Sequence, residues 1–254
     1  MADRLFGLNA VVTGAGSGIG RGVARRFVAE GAQVWFLGRH RENLAEAAAG
    51  LGERAHLLVC DLTDLAAVER AFDQIPGRLD VTVANAAVQL IGQDARIGDV
   101  PPEIWRSTVD INLTGCFHTV RCAVQRMVGQ PLRDGMRGSI IVSGSPTGIT
   151  GEGAGYAAYS ATKAGTHGLA RTTAMDYAKD GIRVNTVVPG HTITPLVDKI
   201  RQDDRLATAI DARIPLGRPG TVDEVTGAYV YFASDESAYA TGGMLFVDGG
   251  MTNL

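Results

Sequence analysis

The feature that most limits what this chain can fold into is the regular alternation of short, β-branched apolar runs with helical patterns. Runs at Ala10 to Thr13, Gln33 to Leu37, Ala55 to Val59, Leu79 to Ala84, Ser139 to Ser143, Arg183 to Val188 and Met244 to Val247 read as strands. Between them, stretches near Ile19 to Glu30, Glu42 to Gly50, Leu65 to Gln74, Pro102 to Met127, Tyr156 to Lys179 and Val222 to Ala233 read as helices. Strands that alternate with helices pair in parallel through crossovers, so the expected fold is α/β: a doubly wound parallel sheet of about seven strands with helices on both faces. A chain of 254 residues with 45% hydrophobic content can bury such a core as one domain. No linker, low-complexity tract or internal repeat divides it. The segment from His191 to Gly220, interrupted by Pro195, Pro215 and Pro219, is the longest irregular connection and the expected substrate lid.

Composition narrows the partners. A formal net charge of -3 leaves no electrostatic footprint for nucleic acid or an anionic membrane, so a small molecule is the expected ligand. Cys60, Cys116 and Cys122 form no CxxC motif and are odd in number, which argues for buried reduced thiols and against a disulfide framework or a metal site. Cys116, Cys122 and the Trp35/Phe36 pair read as core packing. Met1 to Leu8 carries no signal segment, and no uncharged apolar stretch reaches the ~18 residues of a membrane span, so the expected location is cytoplasmic.

Doubly wound sheets bind ligands beyond the carboxyl ends of their strands, and Gly14, Arg39, Asp61, Asn85, Ser145 and Pro189 each fall at or just after such an end. The run Thr13-Gly14-Ala-Gly16-Ser17-Gly18-Ile19-Gly20 follows the first strand and opens a helix, where glycines let backbone amides approach a phosphate at the positive helix end. Tyr159 and Lys163 lie four residues apart and share one helix face. With six tyrosines and three lysines in the chain, only about 0.07 such spacings are expected by chance. A cation about 4 Å from a phenol is worth roughly 4 kcal/mol at an effective dielectric of ~20, so the pair predicts a tyrosine with a lowered pKa, able to act as acid and base. Taken alone, Asn112 reads as a sequon or a polar helix residue, and Asp61 as a helix N-terminal carboxylate.

The motif TGxxxGxG at Thr13, Gly14, Gly18 and Gly20, Asn85-Ala86-Ala87, Asn112, a serine ahead of Tyr159-x-x-x-Lys163, and Pro189-Gly190 together resemble the short-chain dehydrogenase/reductase family over nearly the whole chain. The resemblance implies a Rossmann-type fold and transfer of hydride between a nicotinamide cofactor and a carbonyl or secondary alcohol. It implies that Tyr159 exchanges the substrate proton, that Lys163 lowers its pKa and binds the nicotinamide ribose, that Ser145 bonds the substrate oxygen and that Asn112 holds a water in the proton relay. Gly14, Ser17, Gly18, Ile19 and Gly20 would frame the pyrophosphate, Asp61 and Leu62 the adenine, Asn85 the adenosine side, and Pro189, Gly190, Thr192 and Thr194 the nicotinamide. A homotetramer built on the helices at Pro102 to Met127 and Tyr156 to Lys179, with Gly242 to Leu254 at a second contact, is also implied.

Three positions depart from the family pattern. Ala87 stands where the family has glycine. Ser145 precedes Tyr159 by one residue more than usual, which places an extra residue between Gly148 and Gly155, puts Pro146 at the usual offset and leaves Ser143 as a fallback. Gly38 ends the second strand where an acid would chelate ribose hydroxyls, and Arg39-His40-Arg41 follows; this favours NADP(H), with NAD(H) as the alternative. The pocket walls expected from sequence are Ser145, Pro146, Thr147, Glu152, Tyr156, His191 and Ile193. They leave a 3-oxoacyl thioester, a cyclic ketone and a polyol open as substrates. The alternatives are an NAD-dependent dehydrogenase of a sugar alcohol, hydroxysteroid or dihydrodiol, and a catalytically idle nucleotide-sensing protein.

Overall fold

The computed structural model describes residues 3–151, 155–198 and 202–253. Its core is a seven-stranded sheet in the order β3-β2-β1-β4-β5-β6-β7, every neighbouring pair parallel. The strands are β1 Asn9–Thr13, β2 Gln33–Gly38, β3 Ala55–Val59, β4 Val81–Ala84, β5 Gly138–Ser143, β6 Ile182–Pro189 and β7 Met244–Val247, each within two residues of its sequence-based bounds. The helices are α1 Gly18–Ala29, α2 Arg41–Ala48, α3 Leu65–Asp73, α4 Pro102–Val109, α5 Gly115–Val128, α6 Ala157–Tyr177, α7 Asp204–Asp211 and α8 Val222–Ala233.

Successive strand residues point to opposite faces, and both faces are covered. Ala10, Val12, Val34 and Phe36 pack with Val23 and Phe27 of α1, Leu44 of α2 and Tyr229 of α8. Val11, Trp35 and Leu37 pack with Phe72 of α3, with Cys116, Val120 and Met127 of α5, and with Ala170 and Ala174 of α6. Burial of a side chain such as Phe27 or Phe36, each 0% exposed, contributes about 1.5–3 kcal/mol. Exposed positions appear on the edge strands, at Val59 of β3 and Phe246 of β7, because only there does the sheet meet solvent.

Two sequence-based expectations change. Pro102 to Met127 is helical throughout but not one regular α-helix: a π-helical turn, Asp110–Thr114, joins α4 to α5 and carries Asn112. The insertion of a wider turn is a local distortion that side-chain periodicity does not report. The segment from His191 to Gly220 is also less irregular than expected, since it contains a short 3-10 turn at Pro195–Val197 and the helix α7. Its feet are tied together, Ile193 N donating to Gly220 O at 2.9 Å and Gly220 N to His191 O at 2.9 Å.

The crevice forms where the chain reverses direction across the sheet, between β1 and β4. The Thr13 hydroxyl holds that junction, accepting from Asn85 N at 3.0 Å and Ala86 N at 3.1 Å while donating to Val83 O at 3.2 Å.

Candidate active site

A cavity of about 550 Å³ opens above the carboxyl ends of the strands, and Gly14, Arg39, Asp61, Asn85, Ser145 and Pro189 all line it. One end is built by the turn after β1. Gly14 and Gly18 take φ of +68° and +53°, a region that favours glycine. A Cβ on Gly20 would meet Gly14 O at 2.3 Å and Asn85 Nδ2 at 2.5 Å, so Gly20 lets α1 pack against the turn and does not itself line the cavity. Ser17, the residue before α1, uses its side chain for no cap, and the helix N-terminus with Ser17, Gly18 and Ile19 faces the cavity. Backbone donors at the positive end of a helix suit a pyrophosphate, so this cradle fits a dinucleotide. Arg39, His40 and Asn43 extend the wall, with Asp61 and Leu62 beside them at the end of the neighbouring strand β3. The Asp61 carboxyl is lowered chiefly by the backbone N–H of Thr63, with Arg39 adding to it.

The other end holds the predicted acid-base group. Tyr159 and Lys163 of α6 are 7% and 4% exposed. Lys163 Nζ donates to Ser143 O at 2.8 Å and lies 5.6 Å from the Tyr159 ring centroid. Burial pushes the Tyr159 phenol up to about 12, opposed by a hydrogen bond with Ser145, and brings the Lys163 ammonium down to about 8. The expected lowering of the phenol by its helix neighbour is thus absent among the protein's own groups. Removing both from water disfavours each charged form, and one of the three ammonium donors goes to Ser143 O.

Ser145 lines the cavity directly after β5, with the bond to Tyr159, despite the altered spacing. Its Oγ accepts from Thr147 N at 3.3 Å and from Thr147 Oγ1 at 3.0 Å. Ser143 is engaged elsewhere: its hydroxyl bonds Asn85 Oδ1 at 3.1 Å and Tyr229 OH at 2.7 Å. Asn112 is 2% exposed and does not line the cavity. Its Oδ1 accepts from Val88 N at 2.8 Å, and its Nδ2 donates to Val88 O at 2.9 Å and to Thr162 Oγ1 at 3.2 Å. Both amide donors are spent on the protein, so only acceptor capacity is left for the expected water.

Thr147, Tyr156, His191, Thr192, Thr194 and Gly190 line the cavity as expected, and Pro146 joins them. Ile193, 36% exposed, does not. Glu152 lies outside the described residues. Sequence reasoning missed Leu196, Val197, Ile210 and Arg213 of the connection after β6 and the C-terminal Met251, all on the cavity wall. It also missed two residues behind that wall. Asp94 accepts from Ala158 N at 3.2 Å and Tyr159 N at 3.0 Å, capping α6 from a distant loop. His167 accepts from Ser145 N at 3.2 Å. Neither has a local sequence signature, because each partner is far along the chain.

Among the described residues no helix is long and apolar enough to cross a membrane. A family profile described as enoyl-(acyl carrier protein) reductase matches residues 14–252. The chain is 36% identical over 254 residues to a 3-oxoacyl-[acyl-carrier-protein] reductase of Thermotoga maritima, covering 98% of this chain and 99% of that one. It is 36% identical over 259 residues to an NADP-dependent (R)-specific alcohol dehydrogenase of Lentilactobacillus kefiri, covering 99% of each. A solved gluconate 5-dehydrogenase from Burkholderia cenocepacia, in complex with NADP and tartrate, superposes with a TM-score of 0.90 at 32% identity, covering 99% of this chain and 98% of that one. With the Gly-rich cradle, Ser145, Tyr159 and Lys163 around one cavity, these likenesses place the chain in the short-chain dehydrogenase/reductase family, as an NAD(P)-dependent oxidoreductase acting on CH-OH groups.

Proposed function

We propose that the protein catalyses reversible reduction of a carbonyl to a secondary alcohol with NADP(H), and that Tyr159 is its acid-base group. The observation that carries this reading is the meeting of Ser145, Tyr159 and Lys163 at one end of a cavity whose other end is a helix N-terminus framed by glycines. A bound nicotinamide would supply or receive the hydride. Tyr159, held at about 12, is protonated at neutral pH and ready to donate to a carbonyl oxygen. Ser145 Oγ already accepts two hydrogen bonds from Thr147, so its own proton, which in the resting site bonds Tyr159, is the donor that would turn to the developing oxyanion. Lys163 is held by Ser143 O on the same helix face as Tyr159, one turn further on, where it can meet ribose hydroxyls. Asn112 clamps the Val88 loop to α6 and so keeps the wall beside Tyr159 in place.

The preference for NADP(H) rests on the exposed Arg39 guanidinium beside Gly38 and on Asp61 being the only carboxylate among the described lining residues. Three similar proteins bear NADP in their descriptions. The substrate walls mix Leu196, Val197, Ile210 and Met251 with Thr147, Tyr156, His191 and Arg213, which suits a 3-oxoacyl-type chain, a cyclic ketone or a polyol. Three buried free cysteines fit a reducing cytoplasm, and exposed Phe117, Met175 and Phe246 on α5, α6 and β7 fit a homotetramer. A panel of carbonyls and alcohols assayed with both cofactors tests the reading, with Tyr159→Phe as control. The variant should lose orders of magnitude in turnover while still binding NADPH, and full activity in it would refute the assignment.

A further inference from the structure

We propose that His167 is a positioning residue for Ser145, holding the serine through its main chain. This rests on the reading of Ser145 as the partner of the substrate oxygen. Tyr159, Lys163 and His167 recur every four residues along one face of α6, so the imidazole lies one turn beyond the lysine. It is 2% exposed. The parallel ladder ends just before Ser145: Gly144 N still donates to Val187 O at 2.8 Å, but the next N–H, that of Ser145, goes to His167 Nε2 at 3.2 Å. The imidazole therefore replaces a strand as the acceptor at the point where the chain leaves the sheet to enter the active site.

Accepting from an amide requires a free lone pair on Nε2, so the ring is neutral with its hydrogen on Nδ1. Its surroundings favour that form. Burial, then Lys163 and then Arg171 bring the His167 pKa down to about 4, which keeps the ring neutral. The backbone is shaped around the ring as well. A Cβ on Gly144 would meet His167 Nε2 at 2.3 Å, and one on Gly148 would meet Cε1 at 3.0 Å. Glycines on both sides of Ser145-Pro146-Thr147 thus allow this arc to close over the imidazole, which sets where the Ser145 hydroxyl can point.

The test compares His167→Gln, whose side-chain oxygen can replace the Nε2 acceptor, with His167→Leu, which fills similar space without accepting. Both are assayed for carbonyl reduction with NADPH, for NADPH affinity by fluorescence titration and for thermal stability. His167→Leu should lose about tenfold or more in kcat, the scale of one buried N–H left unpaired, with NADPH Kd within about twofold of the parent. His167→Gln should recover most of that loss. Placed in a Ser145→Ala background, His167→Leu should cost nothing further, because the group it positions is gone. Equal kcat in the Leu variant and the parent, equal losses in the Gln and Leu variants, or a full extra loss in the Ser145→Ala background would each overturn the proposal. If the Leu variant does not fold, His167→Asn, whose amide is too short to reach Ser145 N, takes its place with the same outcomes. Full turnover in Ser145→Ala alone would instead refute the role given to Ser145.

Discussion

Asp94→Ala should weaken the catalytic helix more than loss of an ordinary cap. Of the four backbone N–H groups from Ala157 to Ser160 at the start of α6, the first three have no carbonyl of the helix within reach, and each of the four has an identified partner. Ala157 N reaches Ala95 O at 3.4 Å, Ser160 N reaches Tyr156 O at 2.9 Å, and the two between them go to the two carboxylate oxygens of Asp94. Tyr156, the residue before the helix, offers no side-chain cap. Asp94 is 9% exposed, so its removal strands two donors of α6, one of them on Tyr159, away from water, and also releases Ala95 N, which donates to Asp94 Oδ1 at 2.9 Å. Each charge-assisted bond is worth about 1.5–3 kcal/mol, and partial entry of water returns some of it, which leaves a loss of about 3 kcal/mol. For a chain of this length that is a fall of about 6–10 °C in Tm. Asp94→Asn, which keeps one acceptor but turns an NH2 toward an N–H, should fall between parent and Ala. Asp64, the cap of α3, is the comparison: its side chain accepts from Ala67 N at 3.2 Å but is 57% exposed. Asp64→Ala should cost only about 1 kcal/mol. Urea unfolding of the three variants, together with kcat for each, decides the matter. An Asp94→Ala protein within about 0.5 kcal/mol of the parent and of unchanged kcat would refute the reasoning.

Three further outcomes are expected. Arg39→Ala should lower the NADPH over NADH ratio of kcat/KM about tenfold or more by removing a fork for the 2'-phosphate, and an unchanged ratio would count against NADP(H). Gly20→Ala should destabilise by about 2 kcal/mol and weaken nucleotide binding, because its Cβ would meet Gly14 O at 2.3 Å; wild-type stability and affinity would show that the close approach does not matter. Because burial holds the Tyr159 phenol at about 12, the protonated donor predominates at neutral pH and the phenolate base does not. Alcohol oxidation should therefore climb with pH to at least roughly pH 9 while reduction does not, and a flat oxidation profile would contradict the assignment.

Much of the fold was legible because its signals are local. A parallel strand buried on both faces reads as a short apolar run, so β1, β2, β5 and β6 could be placed to within a residue or two. The rule that sites lie beyond the carboxyl ends of such strands put Gly14, Arg39, Asp61, Asn85, Ser145 and Pro189 on one cavity. The π-helical turn at Asp110–Thr114 and the helix α7 between β6 and α8 were not legible. The first adds a residue to a turn inside an otherwise regular pattern, and the second lies among proline-broken polar sequence.

The sequence by itself determined the sheet, the glycine turn and the presence of Tyr159 and Lys163 on one helix face, since period and spacing are properties of neighbouring residues. Tertiary structure alone decided how that pair is charged. Whether a phenol beside an ammonium is acidified depends on what else surrounds both, and here burial dominates while Ser143 O takes the Lys163 hydrogen bond. It alone also brought Asp94 to the start of α6 and His167 beneath Ser145, contacts spanning 65 and 22 positions that no window of neighbouring residues contains.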